Sequence, residues 1–148
     1  MDKWVIYSAA IAVVIIAALS LGILGLSSAP VPFTPPNPSK FLGEQWTVYK
    51  SYTTTKGING LVKEYYYWFT DSHSDSLIYI KLIFSSSSYA KEYVSSQGFN
   101  TTSNLYTYVE GLNEGVVLTQ GNTVIKVIYI GTSSQVPIGS LIGMVYLN

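Results

Sequence analysis

The chain of 148 residues contains no cysteine, no arginine and a single histidine. The absence of cysteine excludes disulfide bonds, thiolate metal sites and a cysteine nucleophile. Eight lysines balance eight acidic residues, so the formal net charge is zero. Proteins that bind nucleic acid carry a basic patch, usually with arginines that contact phosphate or guanine. The lack of arginine and of any run of basic residues therefore argues against nucleic acid as a partner.

Because charged residues are few, the polar surface must consist mainly of serine, threonine, asparagine, glutamine and tyrosine side chains. Such a surface changes its charge little when the pH falls. This composition, rich in tyrosine, serine, threonine and isoleucine and free of arginine and cysteine, resembles that of membrane-anchored cell-surface proteins of thermoacidophilic archaea. The resemblance covers composition and layout and implies a location outside the cytoplasm.

Residues 4–26 form an uninterrupted apolar run, WVIYSAAIAVVIIAALSLGILGL, with no charge, proline or amide side chain. A helix of this length spans about 35 Å, which is enough to cross a bilayer core of about 30 Å. Lys3 precedes the run and no basic residue follows it before Lys40. The positive-inside rule then places the short N-terminus in the cytoplasm and the C-terminal part outside. The sequence predicts a single-pass signal-anchor over residues 1–26.

A cleaved secretory signal is the competing interpretation of this segment. The apolar run is longer than a typical signal core of about 7–15 residues. The small residues at 27–29 offer a cleavage site, but Pro30 directly follows them. The retained anchor is the favoured interpretation, and cleavage after Ser27 remains the alternative. Small residues such as Ala18 and Gly22, four positions apart, would let the helix pack closely against another helix in the membrane.

Five of the six prolines lie within residues 30–38. Proline removes a backbone donor and fixes φ, so residues 27–40 are predicted to form an extended, semi-rigid stalk. Residues 41–148 are then left for one extracytoplasmic domain of ordinary size.

Hydrophobic periodicity divides this domain into strands and helices. Alternating or continuous apolar runs predict six strands, at 46–55, 61–70, 77–84, 105–109, 115–120 and 123–130. Gly121-Asn122 between the last two runs is typical of a hairpin turn. Apolar residues at helical spacing predict a helix that follows the serines at 85–88 and another that begins at Pro137. The predicted fold class is α+β, an antiparallel sheet with the order β-β-β-α-β-β-β-α and both helices packed on one face.

Few residues suggest a binding or catalytic site. His73 lies between Asp71 and Asp75 in a polar stretch, but a metal site requires three or four oriented ligands and no further ligand is close in sequence. We therefore interpret this stretch as a solvated loop and predict no metal, no cofactor and no catalytic residue. Asn100 begins the sequon Asn100-Thr101-Thr102, a glycosylation acceptor if the domain lies outside the cell.

The aromatic run Tyr65, Tyr66, Tyr67, Trp68 and Phe69 would place alternate rings on opposite faces of a strand. If helices cover only one face, some of Tyr65, Tyr66, Tyr67 and Trp68 must be exposed and could contact a partner protein or a sugar.

These features together favour a non-enzymatic, membrane-anchored accessory subunit that interacts outside the cell with other membrane or envelope proteins, or with copies of itself. A secreted filament or surface-layer subunit and an extracytoplasmic ligand-binding domain are the alternatives.

Overall fold

A computed structural model describes residues 33–99 and 102–146. The predicted membrane helix, with Ala18 and Gly22, and the sequon residue Asn100 lie outside these described residues. No helix within them has the length and apolarity needed to cross a bilayer.

Six strands and three short helices make up the described chain. In order they are α1 (Ser39–Leu42), β1 (Thr47–Thr54), β2 (Leu61–Thr70), β3 (Ser76–Phe84), α2 (Ser87–Ser96), β4 (Leu105–Glu110), β5 (Asn113–Gln120), β6 (Thr123–Ile130) and α3 (Ile138–Tyr146).

All six strands belong to one antiparallel sheet with the order β1-β2-β3-β6-β5-β4. Strands β1 to β3 form one meander and β4 to β6 form another. The two meanders join where β3 pairs with β6, with Ile80 opposite Lys126. Strands β3 and β6 are therefore the innermost, and β1 and β4 are the edges.

Local sequence explains the turns that connect these strands. Gly121, at the turn between β5 and β6, has a φ of +59°, a left-handed conformation that glycine adopts without steric cost. The helix α2 begins where the hydroxyl oxygen of Ser86 accepts a hydrogen bond from the backbone N–H of Tyr89 at 3.3 Å. Gly98, with a φ of +84°, follows the end of this helix.

The two longer helices cover opposite faces of the sheet. Ala90 and Val94 of α2 belong to a core on one face, with Tyr66, Ile80 and other residues. The residues of α3 that enter the core on the other face are Leu141, Met144 and Val145. The predicted α+β class with both helices on one face is therefore wrong, because the described chain is mostly β and its sheet is covered on both sides.

The segment that leads into the sheet also packs on the α3 face. The ring of Phe33 lies 5.2 Å from that of Tyr65 and 6.0 Å from that of Tyr79, and the Phe33 carbonyl accepts a hydrogen bond from the Tyr67 hydroxyl. The side chain of Phe41, in α1, packs beside Gly143 of α3. The second half of the predicted stalk thus belongs to the folded domain.

Candidate functional site

An open cleft lies at one end of the sheet, where the β2–β3 turn meets the segments before β1 and after β6. Its volume is about 280 Å³. Acidic and imidazole groups line it together with two aromatic rings, and they come from three distant parts of the chain. The lining residues used below are Glu44, Trp46, Asp71, His73, Asp75 and Tyr129. We call this site the acidic cleft.

The β2–β3 turn owes its shape to Asp71. One carboxylate oxygen of Asp71 accepts hydrogen bonds from the backbone N–H groups of His73, at 3.0 Å, and of Asp75, at 2.9 Å. Short polar side chains favour turns of this kind because they bond their own backbone a few residues later. Ser74 completes the turn with a φ of +63°, and Glu44, across the cleft, has a φ of +58°. Among the described residues, these two are the only non-glycine residues with positive φ.

Asp75 links the turn to the segment after β6. Its Oδ1 atom accepts hydrogen bonds from the backbone N–H and from the hydroxyl of Thr132, both at 2.7 Å. Burial acts to raise the pKa of Asp75, but the hydrogen bonds from Thr132 outweigh this effect, so the pKa lies below its ordinary value. Asp75 is therefore a carboxylate fixed in position at neutral pH.

His73 stands between two acidic groups at the mouth of the cleft. Its Nδ1 atom lies 3.9 Å from a carboxylate oxygen of Glu44 and 3.9 Å from one of Asp71. The ligand atoms of Asp71, His73 and Asp75 all lie within 4.8 Å of one another. Such a group could hold a divalent cation or the ammonium group of a partner side chain.

The inner wall of the cleft is aromatic. The rings of Trp46 and Tyr129 meet edge to face, with centroids 6.4 Å apart, and the indole N–H of Trp46 donates to the Gly43 carbonyl at 3.2 Å. Nearby, a carboxylate oxygen of Glu114 accepts a hydrogen bond from the backbone N–H of Val136 at 2.8 Å, and burial raises the pKa of Glu114. Rigid aromatic walls beside carboxylates suit a cationic ligand.

Sequence reasoning missed this convergence. The sequence alone predicts a solvated loop around His73, since Glu44 and Trp46 lie more than twenty residues upstream. The β1–β2 hairpin brings them back to the same end of the sheet as the β2–β3 turn. The only sequence signal was that carboxylates cluster at the predicted ends of strands.

The aromatic run of β2 does not form the exposed surface that was expected. Tyr65, Tyr66 and Tyr67 are all buried, because helices and the N-terminal segment cover both faces of the sheet. Trp68 is half-buried and lies 4.7 Å from the exposed ring of Tyr49. Of the four residues proposed to contact a partner, only Trp68 reaches the surface.

A second polar cluster lies beneath α2, with the half-buried Tyr93 at its edge. The ammonium of Lys126 donates to the hydroxyl of Tyr93 at 2.9 Å, and the hydroxyl of Tyr52 donates to the carboxylate of Glu64 at 2.8 Å. The hydroxyl of Tyr66 is buried and has no hydrogen-bond partner among the described residues. Tyr93 lines a surface cavity of about 220 Å³ beside α2, whereas Glu64 and Lys126 are buried, so we treat the cluster as part of the core.

Comparison of the chain with models of protein families, with curated proteins and with solved structures finds no match. The function must therefore be argued from the residues and their geometry.

Proposed function

We propose that the protein is a non-enzymatic, membrane-anchored subunit whose domain lies outside the cytoplasm and binds other membrane or envelope proteins. The apolar run at residues 4–26 and the absence of basic residues between it and Lys40 support the anchor and its orientation. The acidic cleft is the contact site that this proposal assigns to the partner.

The observation that carries the proposal is the pair of exposed polar side chains, Glu44 and His73, at the mouth of a cleft whose deeper carboxylates, Asp71 and Asp75, are held in place by the fold. The exposed side chains of Glu44 and His73 stand at its mouth, and no lysine lies within 4.0 Å of these carboxylates among the described residues. Neither side chain makes a hydrogen bond in that part of the chain. Charged groups that the fold itself does not use are the groups through which a surface selects a complementary, basic partner.

Matched charge-removing variants test this assignment. The full chain, Glu44→Gln and His73→Gln are purified from native membranes in mild detergent, and the bound fraction of each co-purifying chain is measured by native mass spectrometry. Glu92→Gln, an exposed glutamate on α2 far from the cleft, is the control. We expect E44Q to lower the bound fraction several-fold and E92Q to leave it unchanged. Equal binding by both variants would contradict the role of the cleft, and a full chain that binds no other chain would contradict the proposed function.

A second candidate function, an extracytoplasmic ligand-binding domain, is favoured by the volume and the aromatic wall of the same cleft. Trp46 lines it and can report occupancy through its fluorescence. A saturable fluorescence change with a small primary amine or with Mn²⁺ alone, lost in E44Q and H73Q, would support this second function. No change at millimolar concentrations would count against it.

A further inference from the structure

Most charged side chains of the described residues are segregated along the strand direction; the exceptions are Lys40 and Lys50, outside the basic end, and the buried Glu64 and Lys126. Glu44, Asp71, Asp75, Glu110 and Glu114 lie at the end of the sheet that holds the acidic cleft, within or next to the β2–β3 and β4–β5 turns. The opposite end carries four lysines and one exposed glutamate, in the β1–β2 loop, in the adjoining halves of β2 and β3, and on α2. These residues are Lys56, Lys63, Lys81, Lys91 and Glu92. We call this second surface the basic end.

The lysines of the basic end have no acidic partner inside the fold. None of the described lysines lies within 4.0 Å of a carboxylate oxygen, since both close contacts between a nitrogen base and a carboxylate are made by His73. The ammonium groups of Lys63 and Lys81 instead lie over aromatic rings, at 5.4 Å from the centroid of Tyr65 and 4.5 Å from that of Phe33. A surface whose charges are not neutralised internally generates a field that attracts an oppositely charged partner.

The path of the chain places Phe33 over the middle of the sheet, beside one lysine of the basic end. Phe33 packs over Tyr65, Tyr67 and Tyr79. The ammonium group of Lys81, a lysine of the basic end, lies 4.5 Å from the centroid of the Phe33 ring. From there the chain runs across the face to Trp46, at the acidic cleft, before β1 returns. Only six residues, 27–32, separate the apolar run from Phe33, and fully extended they reach at most about 20 Å.

We propose that the basic end rests on the anionic, phosphate-bearing lipid headgroups of the membrane that holds residues 4–26, so that the acidic cleft faces away from it. This inference rests on the proposed membrane anchor. The short reach of residues 27–32 keeps the domain at the membrane surface, and the polarity of the domain selects which end meets the headgroups. Lysines within a Debye length of an anionic surface, about 10 Å at 0.1 M salt, are attracted to it.

The alternative partner for the basic end is a second copy of the chain, whose acidic end would contact it. Several acidic oxygens at that end are already used inside their own fold, because Asp71, Asp75 and Glu114 each accept backbone hydrogen bonds. Exposed apolar side chains do not distinguish the two occupants, since Val62 and Tyr89 lie at the basic end and Val48 and Tyr49 at the other. We therefore choose the membrane, because the short tether joins the domain beside Lys81 and the lysines of the basic end have no acidic partner within the fold.

The absence of cysteine permits single-site labelling of the full chain. Asn59→Cys, in the β1–β2 loop, and Ser72→Cys, in the β2–β3 turn, place a fluorophore at the basic and acidic ends, respectively; both positions are exposed. Each labelled chain is incorporated into nanodiscs of phosphatidylcholine alone, or of phosphatidylcholine and phosphatidylglycerol in equal parts, that carry a headgroup-linked nitroxide quencher. Quenching is measured at low salt and in 0.5 M salt.

We expect the label at position 59 to be quenched several-fold more than the label at 72 in the anionic discs. This difference should shrink in neutral discs, in high salt and in the K56Q/K91Q background. The K40Q/K50Q background, which removes two lysines outside the basic end, should preserve it. Equal quenching at both positions, or stronger quenching at 72, would overturn the inference.

The outcomes separate this inference from the proposed function. A chain that incorporates stably but shows no preference for position 59 would overturn the orientation alone. Energy transfer between a label at 59 on one copy and a label at 72 on another, in discs that hold two copies, would overturn it in favour of head-to-tail association. A chain that does not incorporate into discs would overturn the membrane anchor and this inference with it.

Discussion

The ammonium group of Lys126, on the innermost strand β6, donates a hydrogen bond to the hydroxyl of Tyr93, on α2, at 2.9 Å. Lys126 is only 2% exposed, and the ring of Tyr93 lies 5.3 Å from its nitrogen. This bond joins α2 to the middle of the sheet. Glu64, on β2, is the nearest buried acidic group and contributes an attractive field at Lys126.

Removing the hydroxyl of Tyr93 should weaken the fold. In Tyr93→Phe the buried ammonium loses its hydrogen-bond acceptor, and an unsatisfied buried polar group costs about 1–3 kcal/mol. Tyr89→Phe, an exposed position on the same helix, should change stability by no more than about 0.5 kcal/mol. Thermal unfolding of the full chain in mild detergent, followed by near-ultraviolet circular dichroism, gives the melting temperatures of both variants. Equal melting temperatures for the two variants would show that the Lys126–Tyr93 bond contributes nothing.

Lys126 should also make stability depend on pH above neutrality. Burial lowers the pKa of Lys126 to about 7, although Glu64 acts in the opposite direction. Between pH 7 and about 10, an unfolded lysine keeps its proton while the folded one has lost it. The unfolded state then binds more protons, so the free energy of unfolding rises with pH across this window.

The melting temperature measured at pH 7, 8 and 9 tests this dependence. We expect it to rise in the wild-type chain and in Lys91→Gln, an exposed lysine of α2, and to stay flat in Lys126→Met. A rise that persists in K126M would assign the effect to another group.

The carboxylate of Asp75 should stabilise the end of the sheet that bears the acidic cleft. Asp75→Ala removes two hydrogen bonds from Thr132 to a charged group, which are worth about 1.5–3 kcal/mol each before any relaxation. Because the pKa of Asp75 is lowered in the folded state, its contribution is present at neutral pH and is lost as the pH falls through that lowered pKa.

Denaturation of wild type and D75A, compared at pH 7 and below pH 3, measures this effect. The stability difference should be large at pH 7 and smaller in acid, whereas Ser72→Ala in the same turn should match wild type at both. A difference that does not change with pH would show that the ionised form of Asp75 has no special role.

Gly115 should tolerate no side chain. It lies opposite Tyr108 in the β4–β5 pair, and a Cβ at this position would overlap the Tyr108 ring, which is itself buried. Gly115→Ala should therefore cost about 1–3 kcal/mol through overpacking. Gly139→Ala, in α3, meets nothing within 4 Å and should be neutral or stabilising by up to about 1 kcal/mol. The reverse order of stabilities in thermal unfolding would contradict this packing.

Local patterns sufficed to predict the strands, because each depends on nearby residues. The hairpin formed by β5 and β6 lies where Gly121-Asn122 predicted it, and β2 has the predicted bounds at 61–70. The arrangement of helices depends on contacts that no local pattern encodes. One signal was present in β3, which is apolar at almost every position and so required cover on both faces.

The buried charges and the acidic cleft could not be predicted from local sequence patterns either, because both depend on contacts between distant segments. Lys126 stands in the apolar run TVIKVIYI, and nothing in that run indicates that a tyrosine thirty-three residues upstream will accept its hydrogen bond. Glu44 approaches His73 only because β1 and β2 form a hairpin. Pairings between distant segments are consequences of topology, and the sequence pattern did not contain them.

The central claim is that the chain acts outside the cytoplasm as an anchored subunit of a larger assembly. Native mass spectrometry of the protein, released from its own membranes by mild detergent, tests the membrane anchor and the assembly together. We predict the intact chain of 16.2 kDa, held in a stoichiometric complex with at least one other chain. A soluble monomer that lacks about the first 27 residues, or an intact chain without any bound subunit, would contradict the account.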